Sequence, residues 1–346
     1  MPIGVAIIGA GLFGKDQYFP AIRDSPFFDL KAVYSHSQGS AVKFGVAASA
    51  DAYFDKPPTA RKTLTDLLNR NDIEAVIIAL PIPAQPDIIR AALKSGKHVL
   101  SEKPIAKDMN VAKQLMTEYA QYKDKGIIWS VAENFRFLKP IVYSVEQLKR
   151  LGGTVTSFQI SVHDLIHDGN PYYATEWRKN PQYPGGFILD AGVHFLAGLR
   201  EFLGAVDDSI ANVAAFGTQI QPHLPPVDTM SGILQLRSGV SGTISLSYAT
   251  EFKNDFFIEV ATTNGSVSMS PAGVTVIERG SDGLKMEKTE KFESSTGVAI
   301  EVGAFGRSIA DHEGNAKLAP EEALLDLKLV ELLLKSAEEG GAVQSI

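Results

Sequence analysis

The chain has 346 residues, 45% of them hydrophobic and 21% charged, which fits two globular domains with sizeable cores. Its 40 acidic residues outnumber 33 Lys and Arg, and the net charge of -7 comes with no basic cluster, so neither nucleic acid nor an anionic membrane is an expected partner. The absence of cysteine excludes disulfides, thiolate metal sites and cysteine nucleophiles.

Residues 1–5 run straight into a strand, with no basic region followed by a long apolar one. No apolar run approaches the length of a membrane span, and residues 343–346 match no targeting or lipidation signal. A cytoplasmic protein is expected. Along the first third, short β-branched runs at 5–8, 30–34, 75–80, 98–100 and 127–131 read as buried strands. Between them, 64–69, 87–93 and 111–122 space their apolar residues as helices do. This alternation predicts a parallel, doubly wound sheet.

The pattern changes after about residue 152. Segments 154–162, 233–236, 241–248, 256–261, 266–269 and 274–278 read as strands, and Asn264-Gly265 signals a hairpin turn. Residues 320–337 close the chain as a helix, with Pro320 in its first turn and Gly340-Gly341 past its end. The expected fold is an α/β Rossmann domain over residues 1–132, followed by an α+β domain over residues 133–346 with a large, mostly antiparallel sheet. An active-site cleft is expected between the two.

Gly9-Ala10-Gly11-Leu12-Phe13-Gly14 follows the first strand directly. Gly9 suits a tight turn, Gly11 lets backbone approach a pyrophosphate, and Gly14 lets a helix pack closely on the strand. The helix N-terminus, with Leu12 and Phe13 in its opening turn, then faces the phosphates. A nicotinamide dinucleotide is the expected cofactor. An NAD enzyme carries Asp or Glu about 20 residues beyond the last glycine. Here the chain reads Ser35-His36-Ser37-Gln38, and Asp29 lies at the wrong end of that strand. Donors in place of a carboxylate favour NADP(H) over NAD(H), with Lys43 a further candidate nearby. The alternative is a neutral loop that accepts either.

Glu102-Lys103-Pro104 follows a strand, which places a lysine at the carboxyl edge of the sheet, where such folds bind ligands. Asp190 and His194 are four apart and read as one face of a helix. A carboxylate beside an imidazole raises its pKa and fixes its tautomer, as a general base requires. With the Trp177-Arg178 pair and the segment 185–194, in this order and spacing, the chain resembles the Gfo/Idh/MocA oxidoreductase family over nearly its whole length. It is most similar to fungal NADP-dependent members, which share Ala132-Glu133-Asn134 and Leu80-Pro81.

The resemblance implies a catalytic set of Lys103, Asp190 and His194. It also implies cofactor contacts at Leu80, Pro81, Gln85, Glu102, Lys103, Glu133, Trp177 and Arg178. Many members have Thr-Pro-Asn and then His after the fourth strand; this chain has Leu80-Pro81-Ile82 and then Gln85, so an amide and an imidazole are lost there. The implied substrate is a small molecule: a sugar, polyol, sugar acid, dihydrodiol or simple aldehyde or ketone. Relatives also have an open-faced sheet in the second domain, so a homodimer or larger assembly through that face is expected, driven by exposed apolar area. A dinucleotide-sensing regulator without turnover is the rival reading.

Several residues keep two readings at this stage. Tyr172, Tyr173, Trp177 and Phe187 either stack on a sugar ring or pack a core. His163, Asp164, His167 and Asp168 have metal-like spacing, but turn or rim residues are the reading adopted and no metal is expected. Arg136 either reaches the nicotinamide or forms an interdomain ion pair.

Overall fold

The computed structural model describes residues 1–57 and 62–346. Their contacts group into two compact units, 1–134 with 297–324 and 135–296 with 325–346. This grouping differs from a single boundary after residue 132, because the chain returns to its first unit near the end. The return is built on close packing: a Cβ on Gly306 would lie 2.5 Å from Phe27 Cβ, and Phe305 stacks on Phe28 at 5.9 Å.

The first unit runs β1 (Ile3–Ile8), α1 (Phe19–Arg23), β2 (Phe28–Tyr34), α2 (Gln38–Ala48), β3 (Asp51–Tyr53), α3 (Leu64–Leu68), β4 (Ala75–Ile78), α4 (Gln85–Lys94), β5 (His98–Glu102), α5 (Met109–Lys123) and β6 (Trp129–Ala132). All strand pairs are parallel, in the order β3-β2-β1-β4-β5-β6. Every residue of β1, β4 and β6 is buried, which explains why these strands read as unbroken apolar runs. The strand order reverses between β1 and β4, the switch point at which such sheets open a crevice at their carboxyl ends.

The helix after the glycine loop is not uniform. A π-helical turn, Gly14–Tyr18, precedes α1, and the Phe19 N–H bonds back to the Gly14 carbonyl. Pro20, which has no N–H to give, sits at the start of α1, where the widened turn absorbs the missing bond.

The second unit contains α6 (Lys139–Leu151), β7 (Val155–His163), α7 (Glu176–Lys179), α8 (Gly186–Asp190), α9 (Gly192–Gly204), β8 (Ile210–Thr218), β9 (Thr229–Leu236), β10 (Ser241–Ser247), β11 (Asp255–Thr262), β12 (Gly265–Ser270), β13 (Gly273–Arg279) and β14 (Lys285–Glu290). After α10 (Val298–Asp311) of the first unit come α11 (Pro320–Glu338) and β15 (Gln344–Ser345). Nine strands form one sheet, β14-β13-β12-β11-β7-β10-β9-β8-β15. Only β7 and β10 pair in parallel, so the mostly antiparallel expectation holds. The β11–β12 hairpin turns at Thr263-Asn264, one residue earlier than Asn264-Gly265, because Gly265 already pairs with Thr262.

Helices α6 and α9 cover one face of this sheet, and a Cβ on Gly198 would touch Ile141 and Ile258 at 3.2 and 3.4 Å. Each aliphatic chain buried there contributes about 1.5–3 kcal/mol. On the other face, β7, β9 and β10 present Gln159, Ser161, Ser231, Gln235, Thr243 and Ser245, with Ile233 and Phe216 as isolated exposed apolar residues. A broad apolar face was expected there; the strand alternation instead supplies small polar side chains. Among the described residues, no helix is long and apolar enough to cross a membrane.

Candidate functional site

The expected residues of the first unit fall along one edge, the carboxyl ends of β1, β2, β4, β5 and β6. Gly9 has φ +128°, and a Cβ there would lie 2.2 Å from the Ala79 carbonyl oxygen. Gly14 is equally constrained, since a Cβ would meet the Gly9 carbonyl oxygen at 2.4 Å. Gly11 is different: nothing in the protein lies within 4 Å of its Cβ position. Open space at Gly11 is what a loop needs if a phosphate is to approach its backbone. Leu12 is exposed beside it, and Phe13 meets the Tyr18 ring edge-on at 5.2 Å.

At the end of β2, the Ser35 N–H donates to the Tyr53 carbonyl at 3.1 Å. Ser37 caps α2 by accepting from the Ser40 N–H at 3.4 Å. His36 and Ser37 are exposed. The Lys56 N–H donates to the His36 carbonyl at 3.0 Å, and Ser37 bridges Lys56 in parallel. Exposed Lys56 therefore stands beside the donors at 35–37, a cation that sequence spacing does not reveal because β3 intervenes. Nearby carboxylates are engaged elsewhere. Asp55 accepts from the Tyr34 hydroxyl at 2.6 Å and the Leu64 N–H at 3.0 Å, and Asp29 pairs with Lys31 at 2.5 Å.

Beyond β4, Leu80 and Pro81 lead through a short 3-10 turn, Ile82–Ala84, to Gln85. Gln85 is only 1% exposed, yet neither atom of its amide has a hydrogen-bond partner. Glu102 ends β5, and its Oε1 accepts from the Tyr18 hydroxyl at 2.6 Å. Burial, and then the Glu102 charge, pushes the Tyr18 hydroxyl well above the usual tyrosine range, so it stays a donor. Tyr18 thus ties the helix after the glycine loop to the strand end that carries Lys103, a link the sequence reading missed. Lys103 is half-buried, and Glu133 follows β6 fully buried.

In the second unit, Asp190 and His194 do not share one helix. Helix α8 ends at Asp190, Ala191 breaks the path at φ -101°, and the His194 N–H turns to the Ala191 carbonyl at 3.3 Å. The argument from a common helix face is corrected accordingly. Arg178 Nε donates to Asp190 Oδ2 at 2.6 Å, while its guanidinium lies 4.0 Å from the Trp177 ring centre. The His194 ring stacks on Phe135 at 4.7 Å and 16°, and Phe135 in turn meets Phe195 edge-on.

The open readings now resolve. Arg136 is 1% exposed and pairs with Asp326 at 2.5 Å and Glu201 at 3.3 Å, an ion pair inside the second unit and not across the two. Tyr173 and Phe187 are buried, and Tyr173 donates to the His223 carbonyl at 3.1 Å, so both pack a core. Tyr172 is exposed with Arg178 over its ring. His163 meets Asp255 at 2.8 Å, whereas the His167 ring accepts from the Gly169 N–H and Asp164 from the Leu165 N–H. Each has its own partner, as turn and strand-end residues do.

Comparisons with known proteins agree with this geometry. The GFO/IDH/MocA model described as oxidoreductase family, NAD-binding Rossmann fold, matches residues 3–129, and the GFO/IDH/MocA C-terminal domain matches residues 150–268. Dehydrogenase FPY6 of Fusarium mangiferae is 39% identical over 99% of each chain. D-xylose 1-dehydrogenase (NADP(+)) 2 of Haloferax volcanii is 27% identical over 98% of each. The crystal structure of an oxidoreductase from Thermotoga maritima superposes with a TM-score of 0.86 at 26% identity, covering 100% of this chain and 98% of that one.

Proposed function

The chain belongs to the GFO/IDH/MocA oxidoreductase family, and from that premise we propose that it is an NADP-dependent dehydrogenase or reductase of a small hydroxyl or carbonyl compound. The observation that carries the cofactor choice is the end of β2. Ser35, His36 and Ser37 stand there with Lys56, while Asp55 and Asp29 are held by other partners. A 2′-phosphate needs donors and a cation; a free ribose hydroxyl needs the carboxylate that is missing.

The residues present fit a dinucleotide. Backbone at Gly9, Gly11, Leu12, Phe13 and Gly14 would receive the pyrophosphate, where the space at Gly11 is open. Leu80, Pro81, Gln85, Glu102 and Glu133 would serve the nicotinamide side, and the unpaired amide of Gln85 supports this. Trp177 and Arg178 are better assigned to holding Asp190. When bound, the dinucleotide supplies or accepts a hydride.

The chain's own residues manage the proton and the oxygen. In oxidation, His194 takes the hydroxyl proton on a ring nitrogen, with its plane fixed by the Phe135 stack. Lys103, at the carboxyl edge of the first sheet, holds and polarises the oxygen through its ammonium group. In reduction both act in reverse. The relative named as a D-xylose dehydrogenase supports a sugar or polyol substrate. NADP+ reduction on D-xylose and a panel of aldoses, polyols and aldehydes tests the reading. Tight NADPH binding without turnover would favour a dinucleotide sensor instead.

The same reading includes association of copies through the polar face of the nine-stranded sheet. Light scattering that gave a clean 37.3 kDa particle at micromolar concentration would refute that part.

A further inference from the structure

We infer that the Tyr248 hydroxyl is a substrate-binding donor, placed beside Asp190 to hold a second oxygen of a polyhydroxylated substrate; the inference rests on the oxidoreductase reading above. Tyr248 follows β10 directly, and its backbone is fastened on both sides. Its N–H donates to the Asp228 carbonyl at 2.9 Å, and its own carbonyl accepts from the Ile166 N–H at 3.0 Å. Its ring packs on Phe187, with centroids 6.2 Å apart. The residue is 3% exposed, yet its hydroxyl has no hydrogen-bond partner.

A buried hydroxyl left unpaired costs free energy, and a phenylalanine would fill the same space without that cost. The position makes sense if something outside the chain completes the bond. Gly192 shows where the hydroxyl points: a Cβ built on Gly192 would lie 3.7 Å from it. The oxygen therefore faces the first turn of α9, two residues from Asp190 and two from His194. Asp190 already accepts from Arg178, so its carboxylate is oriented by another partner.

The electrostatics decide what the hydroxyl can do. Burial first, then the charges of Asp190 and Asp164, holds it well above the usual tyrosine range. It is a neutral donor at any working pH, not a base or a nucleophile. What it can meet is an acceptor oxygen. If Lys103 and His194 serve the reacting oxygen, Tyr248 serves a neighbouring one. Sugars and polyols carry that second oxygen, and simple aldehydes do not.

The test compares the full-length parent with Tyr248→Phe on D-xylose with NADP+, and on D-glyceraldehyde and propanal with NADPH. The expected loss in kcat/KM is roughly ten- to hundredfold for D-xylose and D-glyceraldehyde, with propanal changed less than about threefold. NADPH affinity stays within about twofold, and the melting temperature is unchanged or higher because an unpaired hydroxyl has gone. Gly192→Ala is a second probe, because its methyl would enter the space before the hydroxyl at ordinary contact distances, 3.4 Å from Leu246 and 3.7 Å from Tyr248. It should reproduce the selective loss. Equal losses on all three substrates with a lower melting temperature, or no loss on any, overturns the inference while the oxidoreductase reading stands. A parent inactive on these and on the wider panel overturns both.

Discussion

Arg178 and Asp190 form a 2.6 Å ion pair with side chains only 16% and 6% exposed, and Trp177 covers the guanidinium. Removing the cation would leave a carboxylate buried without compensation. Arg178→Met is therefore expected to destabilise the second unit by about 2–4 kcal/mol, somewhat under the range for fully buried pairs. Urea denaturation followed by tryptophan fluorescence measures it. The double variant Arg178→Met/Asp190→Leu should recover part of the loss, since no lone charge remains. An unchanged midpoint in Arg178→Met would show that the pair adds nothing.

Gly9 and Gly11 should separate structure from ligand binding. Gly9→Ala forces a Cβ to within 2.2 Å of the Ala79 oxygen at φ +128°, so stability should fall by several kcal/mol, on the order of other strained backbone sites. Gly11→Ala meets no protein atom within 4 Å, and its melting temperature should match the parent. Its NADPH affinity should still drop by about tenfold or more, because the methyl occupies the path of the pyrophosphate. Calorimetry and titration on the two variants check the contrast. Full NADPH affinity in a folded Gly11→Ala protein would remove the loop from the cofactor site.

Much of the first sheet was legible because strands buried on both faces cannot disguise themselves: β1 and β4 are apolar at nearly every position. The glycine loop and Lys103 follow from their places at strand ends. Other features depend on distant contacts. The return of residues 297–324 rests on Gly306 meeting Phe27, which no local pattern announces. Strand β14, Lys285–Glu290, alternates charge with no core side and so carries no apolar period. Asp190 and His194 keep a helical spacing even though Ala191 divides them, so periodicity alone misleads there. Lys56, Tyr18 and Tyr248 owe their significance to neighbours 20 or more residues away.

Cofactor choice follows from the end of β2. NADPH should bind at least about tenfold more tightly than NADH, the value of one favourable phosphate contact. Lys56→Ala should weaken NADPH by about fivefold or more and leave NADH unchanged, since that lysine adjoins His36 and Ser37. Ser35→Asp should reverse the preference by supplying the missing carboxylate. Fluorescence titration with both cofactors decides. Equal affinities in the parent would defeat the proposal.

His98 gives the first unit a pH dependence of known sign. Its Nδ1 accepts the Ile128 N–H at 3.0 Å, which requires the neutral ring. Burial chiefly, helped by His312 and opposed by Glu74, lowers its pKa below the usual 6.5. The unfolded chain therefore takes up this proton first as pH falls. The stabilisation is complete above about pH 7 and is lost below about 6.5 as pH approaches the folded value, with a slope of up to about 1.4 kcal/mol per unit. His98→Asn keeps an acceptor but cannot titrate, so its stability should be flatter between pH 7 and 5. Parallel profiles for the two proteins would contradict the assignment.

Chemistry gives the most demanding prediction. If Lys103 and His194 act on the reacting oxygen, each matters to the transition state more than to cofactor binding. Lys103→Met keeps most of the bulk and deletes the charge, so NADPH affinity should change little while kcat falls by roughly two to four orders of magnitude. His194→Ala should fall by a similar factor. Asp190→Asn has two effects to separate, because Asp190 is the partner of Arg178: stability should drop along with rate. Near-additive losses in the Lys103/His194 double variant would mean independent roles, whereas a much smaller combined loss would mean one shared proton path. These rates need a substrate that the parent turns over, measured by absorbance of the reduced cofactor. If both single variants keep near-parental rates, the set is wrong, and buried Glu133, at the end of the last parallel strand, becomes the next residue to change.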